Sequence, residues 1–535
     1  MLNTATFKGT AQERGFQHGE RFAAEIRRSG IIEFYRDYCA KNLLGGDSRA
    51  MALLSRWLHR RCAAGLSAHA RDLISGFARG GGFDAEALAP CFAMPDVLNT
   101  LIGCFGRLAA AAPTLGCTSV AAWGDYTVDG SFLYARNLDF PGNRIWDQFP
   151  LVARHKPDRG IPYVSLGAAG SVLDGITGIN EEGVSVALHQ HLSRDATPLG
   201  GRPILDLGLE ALQYSRTIED AVAICSKSRP TSAWTVVLTH WKRRRAALVE
   251  IAPSGVAVKN FDRGTMARAN CYLDARHKEK EMDYPCWRES SVVRRRRAEQ
   301  IIDEHKGRVD AKIMAGLLSD HFDMDRGRLR AFAQTIAQPH NMTSAVFEPE
   351  KGILWIADGS SPVCQGPYRK LSLWEDSGPG EALDVKDPLS AKKRAGFRSY
   401  IDGFSAWQET GDVASCLRRL EAGAAADPDE PAYRYVIGLL KLRSGDWGAA
   451  ADSLGLGAAM PDYRHRSEAQ RLWLARAHDL AGRRDPAQAL YRGLETDALK
   501  PSLRRAAKKG LAQPYSAKAA GKIKPDFIYA DVHRY

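Results

Sequence analysis

Apolar positions recur at helical spacing through the first hundred or so residues, in stretches 12–44, 51–57 and 70–77, and predict helices there. The turn Gly80-Gly81-Gly82 ends the last of them. From Cys117 the pattern changes. Short runs rich in β-branched and aromatic residues, at 118–123, 132–135, 163–166, 184–188, 235–240 and 247–251, read as strands, and strands return at 344–347 and 353–357. Asp129-Gly130 and Asn180-Glu181-Glu182-Gly183 read as hairpin turns. Helical spacing intervenes at 205–212, 218–226 and 291–304, so the middle of the chain predicts sheets covered by helices, an α+β arrangement.

A polar stretch at 375–393 reads as a linker, and the pattern beyond it is helical and repetitive. Three turn signatures align: Gly411-Asp412, Gly445-Asp446-Trp447 and Gly482-Arg483-Arg484-Asp485. Their spacings of 34 and 37 residues lie at or near the 34-residue tetratricopeptide period. Tyr435, Gly438 and Leu439, then Leu472, Ala475 and His478, stand where such a repeat faces inward. An ordinary helical bundle is the alternative.

Composition changes this picture little. A length of 535 residues predicts more than one domain, and 44% hydrophobic with 25% charged residues is ordinary for a globular chain. Much of the net charge of +12 sits in two runs, Lys242-Arg243-Arg244-Arg245 and Arg294-Arg295-Arg296-Arg297. Without an accompanying nucleic-acid motif these read as a hairpin tip and a solvated helix face, so no nucleic-acid partner is expected. Ten scattered cysteines show no metal-ligand spacing, and neither a signal peptide nor a membrane span is apparent. These features predict a reducing, cytoplasmic setting, with no cofactor and no metal. The end His533-Arg534-Tyr535 is not a peroxisomal address.

The candidate chemistry lies where the helical region gives way to the first strand, at Gly116-Cys117-Thr118-Ser119. The strand containing Ala135-Arg136-Asn137-Leu138-Asp139 closes a hairpin through Asp129-Gly130 and brings Arg136 and Asp139 back toward the sulfur. A cation lowers a thiol's pKa and a neighbouring base takes its proton, which makes a nucleophile. A cysteine with a nearby Arg and Asp is, by itself, more often a structural thiol. His189 and His191 flank Gln190 on a predicted strand and offer either a Cys–His dyad or satisfied core histidines. His340-Asn341 stands in a loop as a turn or pocket wall, and Trp287 and Tyr284 as pocket or surface.

Gly-Cys-Thr-Ser followed by Arg-Asn-Leu-Asp resembles the cysteine N-terminal-nucleophile hydrolases, and within them the penicillin acyl-coenzyme A:6-aminopenicillanate acyltransferase family. Gly9-Thr10 with Gly15-Phe16-Gln17-His18-Gly19-Glu20 is similar to that family's opening motif. Gly178-Ile179-Asn180-Glu181-Glu182-Gly183, Ala269-Asn270 and Leu318-Ser319-Asp320-His321 extend the resemblance to about residue 370. It implies a four-layer αββα sandwich followed by a smaller all-α repeat domain. The implied division is a helical pro-segment 1–116, a core 117–374, a linker 375–393, a tetratricopeptide-like domain 394–515 and a tail 516–535.

The resemblance further implies that the chain cuts itself between Gly116 and Cys117, and that the new terminal cysteine cleaves or transfers an acyl group. Cys117, Arg136, Asp139 and Asn270 would carry the catalysis, with Asn270 in the oxyanion hole. Gln190 stands where bile-salt hydrolases carry a second oxyanion asparagine. A later arginine of the family is either Arg294 or displaced by glutamine in the stretch Thr335-Ile336-Ala337-Gln338. Arg294, Gln190 and His340 are therefore secondary pocket candidates. The implied substrate is a small acylated amide, peptide or thioester, and the repeats offer a surface for a protein partner. A binding scaffold with a silent front domain is the reading from a different class, and a papain-like protease with an internal cysteine is a second enzymatic one.

Overall fold

The structure, a computed structural model, describes residues 2–43, 49–105, 116–140, 142–195, 200–282 and 285–527. Leu44, Tyr284 and residues 106–115 and 533–535, all touched by the expectations above, lie outside the described residues. The chain forms two compact units, Met1–Asp320 with Gln334–Asp387, and His321–Ala333 with Pro388–Tyr535.

The first unit begins with a strand that helical patterning did not foretell. β1 (Asn3–Gly9) pairs in parallel with β4 (Pro150–Pro157). Thr10 then caps α1 (Ala11–Ser29) through a reciprocal pair with Glu13. α2 (Ile31–Leu43), α3 (Arg49–Ala63), α4 (Ala68–Gly81), α5 (Ala85–Leu88) and α6 (Met94–Phe105) follow. α1 and α4 meet at backbone contact: a Cβ on Gly15 would lie 2.0 Å from the Leu73 carbonyl oxygen, and one on Gly76 1.9 Å from that of Gln12. Only glycine permits that approach.

The six-stranded sheet holds β2 (Gly116–Ala122), β3 (Leu133–Asp139), β11 (Thr265–Arg268), β14 (Asn341–Glu348), β15 (Ile353–Ala357) and β16 (Tyr368–Ser372), in the order β11-β2-β3-β14-β15-β16. The eight-stranded sheet holds β1 and β4 with β5 (Tyr163–Ala168), β6 (Thr177–Asn180), β7 (Val184–Gln190), β8 (Trp234–His240), β9 (Arg245–Ala252) and β10 (Gly255–Phe261), in sequence order. Val152, Val164, Ile179 and Val237 of this sheet share one buried cluster with Ala121, Tyr134 and Phe347 of the other. α7 (Ile204–Tyr214), α8 (Ile218–Lys227), α9 (Ala275–Lys280), α10 (Pro285–Glu304) and α11 (Ala311–Leu318) complete the unit. α10 and α11 bury Ala298, Ile302, Met314 and Leu318 against Val120, Ala135 and Val346.

The basic runs behave differently from each other. At the β8–β9 turn, Arg244 pairs with Glu350, Arg245 with Glu219, and Lys242 donates to the Glu181 carbonyl. On α10, Arg295 pairs with Glu299 and Arg297 with Asp320, but Arg294 is 2% exposed. The solvated-face expectation is therefore corrected at Arg294.

The second unit opens with the two-stranded ladder β12 (Phe322–Asp323) and β13 (Arg328–Leu329). It continues with α12 (Ala391–Thr410), α13 (Val413–Ala426), α14 (Pro431–Ser444), α15 (Trp447–Ala458), α16 (Arg464–Leu480), α17 (Arg484–Asp497), α18 (Pro501–Ala512) and α19 (Ala517–Ala520). Consecutive helices from α12 to α18 pack on one another. Gly411 and Gly445 close α12 and α14 with positive φ, and Asp412 and Asp446 cap the helices that follow. Buried Arg330 pairs with Asp323, Glu430 and Asp462, tying the segment His321–Ala333 to the N-cap of α14 and to the residues just before α16.

Candidate active site

β2 and β3 set the site by register. Cys117 lies opposite Leu138 and Ser119 opposite Arg136, so these four side chains share one face, while Gly116 opposite Asp139 and Thr118 opposite Asn137 point to the other. Cys117 is 1% exposed. Its thiol lies 3.5 Å from the Leu188 carbonyl, to which it donates, and Arg136 Nη2 donates to the sulfur at 3.5 Å. Arg136 is fixed by three further contacts: Leu188 O at 2.7 Å, Thr177 Oγ1 at 2.8 Å and Ser119 Oγ at 3.3 Å.

A second arginine approaches Cys117 through its backbone. Arg294 Nη1 donates to Cys117 O at 2.6 Å and to Thr118 Oγ1 at 3.0 Å, and its Nη2 to Asn270 Oδ1 at 3.0 Å. Asn270 Oδ1 also accepts from Cys117 N at 2.8 Å, and Asn270 Nδ2 donates to Gln190 O at 3.1 Å. The Asn270 loop is anchored by buried Glu250, which accepts from Leu273 N at 2.6 Å, Asp274 N at 3.0 Å and Arg268 at 3.1 Å.

Burial pushes the Cys117 thiol up, the two arginines pull it down and Asp139 pushes it up again, and burial prevails. In the unbroken chain the sulfur is therefore a protonated thiol at neutral pH, and Cys117 N is a peptide amide without basicity. Asp139 is fully buried. Its Oδ1 accepts from Asn341 Nδ2 at 2.9 Å, and Oδ2 has no hydrogen-bond partner among the described residues. Burial raises its carboxyl to about 6, against the pull of Arg294, Asn341 and Arg136. A Cβ built on Gly116 would stand 3.1 Å from that Oδ2. The carboxylate thus sits directly under the Gly116–Cys117 peptide, on the face opposite the sulfur.

The structure therefore brings together Cys117, Arg136, Asp139, Asn270, Gly116 and Arg294. Gln190 joins by its carbonyl, while its side chain donates to Asn99 Oδ1 on α6. His340 is buried and held uncharged, its ring lowered to about 3 by burial and by Arg294, and its carbonyl accepts from Phe140 N at 2.8 Å. His189 is not on the sulfur: Nε2 lies 2.8 Å from Ser119 Oγ and Nδ1 3.2 Å from Ala269 O. The carbonyl requires the proton on Nδ1, so Nε2 accepts from the serine, an assignment by network. Burial, Arg136 and Arg268 hold that ring neutral. Gln338 donates to Thr335 O, away from this cluster.

Residue patterning missed Asn99 and Thr177, and gave Ser119 no role of its own. For Arg294 a signal existed: it shares the i, i+4, i+7 stripe of α10 with buried Ala298 and Ile301, a core face rather than a wet one.

Among the described residues no helix is long and apolar enough to cross a membrane, and no group of three or more His, Cys, Asp or Glu is placed to hold a metal. No curated protein matches the chain. The family model described as acyl-coenzyme A:6-aminopenicillanic acid acyl-transferase matches residues 127–361, a stretch that contains Arg136, Asp139, Gln190, Asn270, Arg294 and His340 and starts after Cys117. That match supports an enzyme of the acyl-transferring or hydrolysing kind.

Proposed function

We propose that the first unit is a self-cleaving amidohydrolase or acyltransferase of the αββα type, with Cys117 as its terminal nucleophile. The observation that carries the reading is the double hold on one residue: Arg136 on the sulfur, and Asn270 with Arg294 on the backbone nitrogen and carbonyl. Cys117 Sγ would attack the Gly116 carbonyl, and the peptide nitrogen would leave as the amine of Cys117. Water then opens the thioester and releases the Gly116 carboxylate. A free α-amine titrates near 7.7–8.0, close enough to neutrality to take the proton of its own thiol.

In the cut protein Asn270 Oδ1 and Asp139 Oδ2 would receive the hydrogens of the new amine. Asp139 charges above about pH 6 and so would stand as a carboxylate beside it. For Asn270 to hold a substrate oxyanion, Nδ2 must turn away from Gln190 O. Such a donor is worth roughly 3–4 kcal/mol in other enzymes. Arg136 would stabilise the thiolate as it forms. Water resolving the acyl-enzyme gives hydrolysis, and an amine gives transfer. The substrate class is a small amide or thioester with a detachable acyl group.

Denaturing electrophoresis of the purified protein tests the first step: two chains dividing between Gly116 and Cys117 are expected, and one chain from Cys117→Ala. A single full-length chain that turns over N-acyl amides would end the processing claim. Turnover by Cys117→Ala equal to that of the natural chain would remove the cysteine from the mechanism.

A further inference from the structure

The second unit ends in a segment that follows its last packed helix pair and joins its buried core through Ala520, Ile523 and Phe527. The array closes on itself at α18: Leu503 and Ala507 bury against Tyr491 and Leu494 of α17, and Arg484 takes the Gly510 and Leu511 carbonyls. The chain then doubles back. In order, its residues meet α16, α14 and α12. Tyr515 packs edge-on to Trp473 at 6.2 Å, with Arg476 over its ring at 4.7 Å. Arg443 of α14, lying 5.4 Å over the Trp407 ring, donates to Ile523 O at 2.8 Å. Phe527 enters an aromatic nest at 5.5 Å from Phe404 and 5.8 Å from Tyr400, and the Tyr400 hydroxyl donates to Phe527 O at 2.5 Å.

Three side chains of this segment, Ala520, Ile523 and Phe527, are 1%, 5% and 3% exposed. Beyond the single turn of α19 two further turns follow, Lys522 N to Ala519 O and Ile523 N to Ala520 O, and residues 523–526, with Pro525 among them, have no regular secondary structure. Two of its carbonyls are captured by side chains of the array. Capture of main-chain carbonyls together with pockets for spaced side chains is one way a groove reads a peptide. The inner face of stacked helix pairs is the surface such arrays use for it.

We propose that the face formed by α12, α14 and α16 is a docking groove for an irregular peptide segment carrying a branched aliphatic residue and, four positions on, an aromatic one. Residues 515–527 of the same chain are its resident occupant. A partner segment with the Ile523–Phe527 spacing enters by displacing them, and the tail lowers the groove's apparent affinity by the fraction of time it is seated.

A fluorescently labelled peptide of residues 513–527 tests this by anisotropy, against the full chain and against a chain ending at Pro514. The shortened chain should bind the peptide, and the full chain should bind it about tenfold more weakly or worse. Phe527→Ala in the peptide should cost about tenfold on the shortened chain, as loss of a buried aromatic anchor does. A shortened chain with unchanged helical circular dichroism that takes up no peptide overturns the proposal. Should shortening unfold the unit, the full chain with Ile523→Ala and Phe527→Ala replaces it. That chain must bind the natural peptide more tightly than the unaltered chain does, and equal binding overturns the proposal. Dimers formed by exchanged tails would overturn it in favour of a contact between copies.

Discussion

Asp139→Asn in a Cys117→Ala background, which keeps the chain whole, should change how stability depends on pH. Asp139 is fully buried with one oxygen on Asn341 and the other unpartnered among the described residues, and burial lifts its carboxyl from the usual 3.8 to about 6. A raised carboxyl stabilises the folded state when protonated; that contribution is full below about pH 4 and disappears as pH rises through 6. The interval between the two values is worth on the order of 3 kcal/mol, of which about 2–3 kcal/mol is recovered on going from pH 8 to pH 4. Asparagine carries no charge and lacks this dependence. Its amide group places a donor where Oδ2 stood, at a cost of about 1 kcal/mol that is the same at both pH values. The variant should therefore be more stable than its parent at pH 8 and less stable at pH 4. Pulse proteolysis in urea, scored on fragments of the first unit, measures both. Taking the difference between variant and parent cancels every other titrating group. Parallel pH dependences, within about 0.5 kcal/mol, would refute the argument that Asp139 sits charged and poorly solvated under the Gly116–Cys117 peptide.

Arg136→Met takes the cation off the sulfur while keeping the stem's bulk, and carbamidomethylation of Cys117 at pH 8 should slow by about tenfold or more. An unchanged rate would reduce Arg136 to packing. Gly116→Ala brings a Cβ to 3.1 Å from the Asp139 carboxylate, and strain of about 1–3 kcal/mol should slow self-cleavage several-fold, with Gly116→Val slower again on a timed gel. Equal rates for all three would mean that the carboxylate yields freely. Arg330→Ala leaves Asp323, Glu430 and Asp462 facing one another without their cation, and should cost the second unit about 3–5 kcal/mol by urea unfolding. A loss below about 1 kcal/mol would show that water reaches those carboxylates.

How much of this was legible in the sequence depended on range. The β2–β3 hairpin was readable because its turn, Asp129-Gly130, and its alternating strands are local. β1 was not, because its alternation, Ala5 and Phe7 between Thr4, Thr6 and Lys8, runs for only five residues before a well-capped helix, and its partner β4 lies some 150 residues away. The residue types around Cys117 were readable, but not their sides. Strand alternation puts Asp139 across the sheet from the sulfur, a placement that only the register reveals. Arg294 was masked by its company, since four arginines in a row read as surface and helical geometry turns one of them inward. Asn270 was found as a residue, yet its carbonyl oxygen faces Cys117 N, and the turning of an amide leaves no trace in sequence.

The segment His321–Ala333 has a bearing on how such a chain can be divided or assembled. It is encoded within the first unit but completes the second. A gene ending at Asp387 would still encode Arg330 and Phe332, and would strand them without Glu430, Asp462, Phe397 and Tyr400. A gene beginning at Pro388 would lack the cation those carboxylates surround. A single crossover between the two units would therefore leave an interior scar, and intact transfer of the second unit would have to carry His321–Ala333 with it.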